Sequence, residues 1–209
     1  MPSFIIGIGG GSASGKSTIA EALCKLLSPL RVEIINQDRY FRASDRLPTH
    51  TSPNGARVWP DHNHPDSFDF QSLCRDLRRA RDGSADAIVV EGILVLHDPE
   101  LRDLMHLKLF VHADPDERIV RRIRRNLSRG WRLDDISDFY LDSVRRRHRD
   151  FCEPTRAHAD LVIPGGRDDR EETDRLLAEV CASVHAALRT APSPSHPQQS
   201  RHHHAKDIR

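Results

Sequence analysis

The apolar positions of the chain alternate between short unbroken runs and longer stretches of helical period. Phe4-Ile5-Ile6-Gly7-Ile8 is the first run, and Ile19, Leu23, Leu26 and Leu27 then recur at i, i+4, i+7 and i+8. Pro29 breaks that helix, and Val32-Glu33-Ile34-Ile35-Asn36 predicts a second strand. Phe70, Leu73, Cys74 and Leu77 share one helical face, which Asp82-Gly83-Ser84 closes. Ala87-Ile88-Val89-Val90-Glu91-Gly92-Ile93-Leu94-Val95 is the most apolar strand signal, while Leu107 to Val111 and Leu161 to Ile163 predict a fourth and a fifth strand. Ile119, Val120, Ile123 and Leu127 mark the apolar face of a helix opening at Asp114-Pro115-Asp116-Glu117, with a further helix carrying Arg145 to Arg149. Leu176, Leu177, Val180, Val184 and Leu188 do the same for a last helix from Glu171 to Leu188. Continuous apolar strands alternating with amphipathic helices predict an α/β fold of three layers, with a five-stranded parallel sheet covered on both faces.

The stretch after the first strand turns this architecture into a chemistry. Gly10-Gly11-Ser12-Ala13-Ser14-Gly15-Lys16-Ser17, with Thr18 behind it, has the spacing G-x-x-x-x-G-K-[ST] of a P-loop. Glycines let the chain curl so that successive backbone N–H groups converge on one anion, and Lys16 adds a point charge at the start of a helix. The cavity suits a polyphosphate, and Ser17 stands where a hydroxyl ligand of magnesium belongs. A dinucleotide fingerprint fits less well, because the frame from Gly7 or Gly9 ends on Ser12 or Ser14 and leaves Lys16 without a role. Asp38 sits at the carboxyl end of the second strand, within reach of the same phosphates. Glu91 interrupts an apolar strand, and a buried carboxylate is costly unless a cation such as magnesium stands near it.

Composition bounds the rest. Within 209 residues one domain is expected, and 30% charged residues cancel to +1, which leaves no global field to recruit nucleic acid or an anionic membrane. The basic charge is local instead. Arg118, Arg121, Arg122, Arg124, Arg125, Arg129 and Arg132 crowd around Gly130, and they predict a lid that clamps phosphates. Four cysteines without a C-x-x-C pair read as reduced core thiols. No apolar run has transmembrane length, so a cytoplasmic protein without a membrane partner is expected. Residues 42 to 66, punctuated by Pro48, Pro53, Asn54-Gly55, Pro60 and Pro65, read as an irregular binding loop. His62 and His64 near Asp66 do not complete a tetrahedral metal set. The expected organisation is one P-loop domain over 1–190, with a ligand-binding region at 42–85, a lid at 118–133, and a disordered tail at 191–209.

These motifs, taken in order, resemble the uridine kinases of the uridine kinase and phosphoribulokinase group. The resemblance rests on the P-loop, Gln37-Asp38-Arg39-Tyr40-Phe41, His64-Pro65-Asp66-Ser67-Phe68-Asp69, Glu91-Gly92-Ile93-Leu94, Arg129-Gly130, and Glu153-Pro154-Thr155-Arg156 through Pro164. It implies an ATP-dependent, magnesium-dependent transfer of the γ-phosphate to the 5′-hydroxyl of a nucleoside, uridine or cytidine first. By that resemblance Asp38 is the catalytic base, and Lys16, Arg125 and Arg129 hold the transferring phosphate. Gly10 to Thr18 bind ATP, and Ser17 and Glu91 hold the metal. Tyr40, Asn63, His64, Asp66, Arg125 and Trp131 face the acceptor.

The chain also departs from the group. Asn63 stands where an Asp usually holds the ribose diol, with Asp61 and Asp66 beside it, and Trp131 sits inside the lid's Arg-Gly-Arg pattern. The group's base-reading hairpin before the Glu-Gly strand is absent. That shortened middle also resembles the nicotinamide riboside kinases, and a nucleotide-binding regulatory protein is the alternative from another class. A small-molecule nucleoside is the expected partner, nucleic acid is not, and a homo-oligomer is compatible with the sequence.

Overall fold

A computed structural model describes residues 2–52 and 57–190. Its strands are Phe4–Gly10 (β1), Val32–Asn36 (β2), Thr49–Thr51 (β3), Val58–Pro60 (β4), Ala87–Glu91 (β5), Leu107–His112 (β6) and Leu161–Pro164 (β7). Its helices are Lys16–Leu26 (α1), Phe70–Arg81 (α2), Pro99–Asp103 (α3), Pro115–Leu127 (α4), Leu133–Phe139 (α5), Arg145–Arg147 (α6) and Arg170–Thr190 (α7). Five strands form one parallel sheet in the order β2-β5-β1-β6-β7. The connection leaving β1 runs to one side of the sheet and that leaving β5 to the other. The strand order therefore reverses around β1, and ligands bind beyond the carboxyl ends of strands at such a point.

Alternation along the strands divides the core in two. Ile6, Ile8, Val89, Leu109 and Val111 point to one face, against Ile19 and Leu23 of α1 and Leu177, Val180 and Val184 of α7. Ile5, Ile88, Val90 and Phe110 point to the other, against Leu73 and Leu77 of α2 and Leu101 of α3. Helices on both faces explain why the strands read as unbroken apolar runs. Cys74, Cys152 and Cys181 are buried and all four cysteines are free thiols.

Three expectations need correction. The apolar run from Ala87 leaves the sheet at Glu91, because Gly92 turns the chain and donates its N–H to the Ile8 carbonyl at 3.1 Å. Leu94, Val95 and Leu96 then bury into the second core as a loop. Residues 42 to 66 are not wholly irregular, since β3 and β4 pair antiparallel with His50 opposite Trp59. The apolar face assigned to α4 is only half right: Ile119 and Ile123 are half-buried, with Ile119 packed on the Phe139, Tyr140 and Val144 cluster, but Val120 and Leu127 are each 46% exposed and the buried residues are Arg118, Arg122 and Asn126. That arginine face is covered by the P-loop at Ser12 and by the Phe139 ring. Leu26 of α1 is likewise exposed.

From α5 the chain continues helically to His158, passing through looser π-type turns at Tyr140–Val144 and His148–Cys152 and tighter turns at Glu153–His158. One ion pair with a fully buried carboxylate ties this segment to residues 42–66. Asp61, fully buried, receives Arg147 Nε at 2.6 Å, Asn63 N at 3.0 Å and Ser143 Oγ at 3.5 Å. The tail expected at 191–209 lies outside the described residues, as does the Asn54-Gly55 turn.

Candidate active site

The P-loop follows β1 at the centre of the sheet, and backbone geometry shows why its glycines are needed. Gly10 has φ of 137°, and a Cβ there would collide with the Val111 carbonyl oxygen. Gly15 has φ of 105° at the start of α1, in the left-handed region that glycine enters at little cost. Lys16 is buried, and its Nζ donates to the Gly11 carbonyl at 2.9 Å, closing the loop on itself. Burial lowers the Lys16 pKa, against the opposing pull of Glu91 and Asp38.

β2 and β5 end side by side, with Asn36 paired in register with Glu91. Glu91 is buried, and its Oε1 accepts Ser17 Oγ at 3.1 Å and Asn36 Nδ2 at 2.6 Å. Burial raises the Glu91 pKa, while Lys16 and the Ser17 hydroxyl pull it back down. Two residues after Asn36, Asp38 stands exposed at the cavity, its backbone N–H held by Asn36 Oδ1 at 2.7 Å. Between them Gln37 turns inward and its Oε1 accepts the Leu94 N–H at 3.0 Å. Only glycine fits at position 92, because a Cβ would collide with the Gln37 side chain. The Glu91-Gly92 pair thus keeps a carboxylate at the strand end and lets the next loop close over it.

The arginines of α4 come in from the far side. Arg122 Nη1 donates to Ser12 Oγ at 3.0 Å and Arg125 Nη2 to the same oxygen at 3.4 Å. Arg118 Nε donates to the Ala113 carbonyl at 3.0 Å beside Gly11. Among the described residues no carboxylate lies within ion-pair distance of Arg118, Arg122 or Arg125. Burial pulls the Arg122 pKa down to about 10, with Arg125 adding repulsion. Buried cations without carboxylates are costly unless an anion joins them, which is what a phosphate clamp requires.

Two cavities open here. One of about 780 Å³ lies against α1, α4 and the segment after β7, lined by Thr18, Arg121, Gly165 and Arg170 among others. The other, of about 580 Å³, reaches from Ser12 past Asn36, Asp38 and Glu91 to Trp59, His62 and Asn63. Ala13, Lys16, Ser17, Arg125 and Arg129 line both.

Of the acceptor residues expected from sequence, Asn63, Arg125 and Trp131 line the second cavity. Tyr40 does not: its hydroxyl donates to Asp76 Oδ2 at 3.2 Å on α2. His64 turns its Nδ1 to the Asp66 N–H at 3.1 Å and packs edge-on against Phe151, and Asp66 points to solvent. Asp61 is committed to Arg147 and leaves the diol-binding role to others. Sequence reasoning missed Asn36, whose only signal was its place at a strand end. It also missed Phe41, Trp59 and Phe139 on the cavity wall.

The Phosphoribulokinase / Uridine kinase family matches over residues 5–86 and 81–171. A uridine kinase of Lactococcus lactis subsp. lactis is 35% identical over 202 residues, spanning 85% of this chain and 96% of that protein. One of Clostridium botulinum strain Okra is 33% identical over 200 residues, spanning 84% and 95%. Among solved structures, shikimate kinase of Acinetobacter baumannii superposes with a TM-score of 0.53 at 13% identity, over 87% of this chain and 94% of that one, a likeness of fold. A P-loop with two cavities meeting at its lysine, and relatives matched over nearly their whole length, lead to one conclusion: the chain belongs to the phosphoribulokinase and uridine kinase family.

Proposed function

We propose that this protein is an ATP-dependent kinase that transfers the γ-phosphate to the 5′-hydroxyl of a nucleoside, uridine or cytidine. One observation carries the reading. The two cavities share Lys16, Ser17, Arg125 and Arg129, and Asp38 lines only the second. That is the layout of a donor site and an acceptor site meeting at one phosphate, with the base on the acceptor's side. The names of the relatives support uridine over nicotinamide riboside, and the joint presence of Lys16 and Asp38 supports phosphotransfer over a regulatory role.

In this reading the backbone of Gly10 to Thr18 cradles the donor's phosphates. Lys16, Arg125 and Arg129 neutralise charge that spreads over the γ-phosphate as its bond to the β-phosphate breaks. Asp38 accepts the proton of the acceptor hydroxyl as that oxygen attacks phosphorus. Asn63 contributes a neutral amide toward the sugar. Ser17 Oγ and Glu91 form a hard oxygen pair with one buried carboxylate, a donor set that suits magnesium. When bound there, the ion would neutralise the donor's phosphate oxygens. Most of the acceleration comes from positioning two substrates across a shared set of cations.

The test is ADP release with magnesium-ATP across uridine, cytidine, adenosine, nicotinamide riboside, pantothenate and ribulose 5-phosphate, with Asp38→Asn as the blank. Turnover above blank on uridine or cytidine is expected. Turnover confined to another acceptor, or none, overturns the nucleoside assignment.

A further inference from the structure

The lining of the acceptor cavity is of two kinds. Lys16, Ser17, Asp38 and Glu91 supply charge and hydroxyl oxygen. Both tryptophans of the chain, Trp59 and Trp131, line the same cavity with Phe41, Phe139 and His62. In a chain only 5% aromatic, that concentration of flat rings suits an acceptor that carries a flat, π-bearing group as well as its hydroxyl.

Trp59 belongs to the β3–β4 hairpin, which forms its own two-stranded sheet apart from the parallel one. Two strands of three residues are marginal alone, so something else must hold them. Helix α5 does. Trp59 meets Phe139 of α5 edge-on, ring centroids 5.6 Å apart at 60°. Arg57 Nη1 reaches Asp135 Oδ1 at 2.8 Å and Asp138 Oδ2 at 3.4 Å on the same helix, while its guanidinium lies 5.6 Å from the Trp59 ring centroid. Phe139 in turn takes the Arg122 guanidinium 5.7 Å from its own centroid, and Arg122 donates to Ser12 of the P-loop. Hairpin, α5, α4 and phosphate loop are thus joined by contacts between neighbours.

We propose that this hairpin is the specificity wall of the acceptor site. Trp59 supplies a face on which the heteroaromatic base stacks, and Arg57 latches that face to α5. The inference rests on the nucleoside assignment and adds the residues that recognise the base. A base stacked on an aromatic side chain is lost at a cost of roughly 10-fold or more in affinity when that side chain becomes alanine.

Two single-tryptophan proteins test it without relying on turnover. Trp131→Phe leaves Trp59 as the only indole, and Trp59→Phe leaves Trp131. Uridine added without donor is expected to change Trp59 emission saturably in the Trp131→Phe protein. Trp59→Ala is expected to raise the nucleoside KM roughly 10-fold or more while the ATP KM stays within about twofold. Arg57→Met is expected to raise the same KM by a smaller factor, with the melting temperature of each variant recorded as the check on folding. If the wild type phosphorylates uridine but Trp59→Ala keeps its nucleoside KM and Trp59 emission does not respond, the hairpin is not the wall. If the wild type phosphorylates no nucleoside, the proposed kinase function fails, and the stacking proposal fails with it.

Discussion

Asn36 Nδ2 lies 2.6 Å from Glu91 Oε1, across two parallel strands that end in register. The other end of the same amide, Oδ1, holds the Asp38 N–H at 2.7 Å. One side chain therefore fixes the distance between the carboxylate assigned to the metal and the backbone that carries the acceptor's base. Asn36→Leu keeps the volume and removes both bonds. It is expected to lower kcat about 10–100-fold and to raise the magnesium concentration for half-maximal rate, with the nucleoside KM moving only a few-fold. A magnesium titration of initial rates checks this, and an unshifted titration would separate Asn36 from the metal site.

Asp38 faces the acceptor cavity and carries no structural hydrogen bond through its carboxylate among the described residues. Asp38→Asn is expected to lower kcat by roughly 100-fold or more while ATP affinity stays within a few-fold. Equilibrium binding of ATP beside steady-state rates distinguishes loss of the base from loss of the fold.

His148 lies under the P-loop, close to Gly11, with its Nδ1 buried and without a partner. Burial first, then Arg118, Lys16 and His112, push its pKa down to about 4 from an ordinary 6.5. The unfolded chain therefore binds a proton in a window where the folded chain does not. Stability falls as pH drops below about 6.5 and levels off near 4, a loss that the Glu153 carboxylate, 3.3 Å from His148 Nε2, partly offsets. His148→Gln has no such proton to take up. Urea unfolding at pH 7 and pH 4.5 should show a larger drop for the wild type than for the variant, and equal drops would refute the assignment.

Arg147 and Asp61 form the ion pair that pins residues 42–66 to the long helical segment. Arg147→Met leaves the Asp61 carboxylate buried with only neutral donors, an expected loss of about 3 kcal/mol. Because Asp61 also holds the Asn63 backbone, the nucleoside KM should rise in the same variant. Denaturant unfolding and acceptor kinetics on one preparation check both effects.

The P-loop, the sheet and the strand-end acids were legible because each is a local pattern: spacing fixes a glycine loop, and period fixes a strand. α4 was misread for the opposite reason. Its apolar residues do fall at helical spacing, but the face that packs is decided by what lies opposite, and opposite lies a phosphate loop that takes Arg118 and Arg122 rather than Val120 and Leu127. Asn36 could not be singled out, because its value depends on the register of β2 against β5. The hairpin was hidden among prolines, since three-residue strands leave no period to count. Asp61, which the sequence offers together with Asp66 beside Asn63, is held instead by an arginine 86 positions further along the chain.

The arginine face of α4 has a consequence for how the protein is kept folded. Arg122 and Arg125 meet at one Ser12 oxygen and repel one another there, so any polyanion that joins them removes a repulsion that no neighbouring carboxylate relieves. The substrate is then also a structural component. The midpoint of thermal unfolding should climb with the concentration of pyrophosphate or ATP as mass action dictates. Cellular donor level would set how much of the protein survives proteolysis as well as how fast it works.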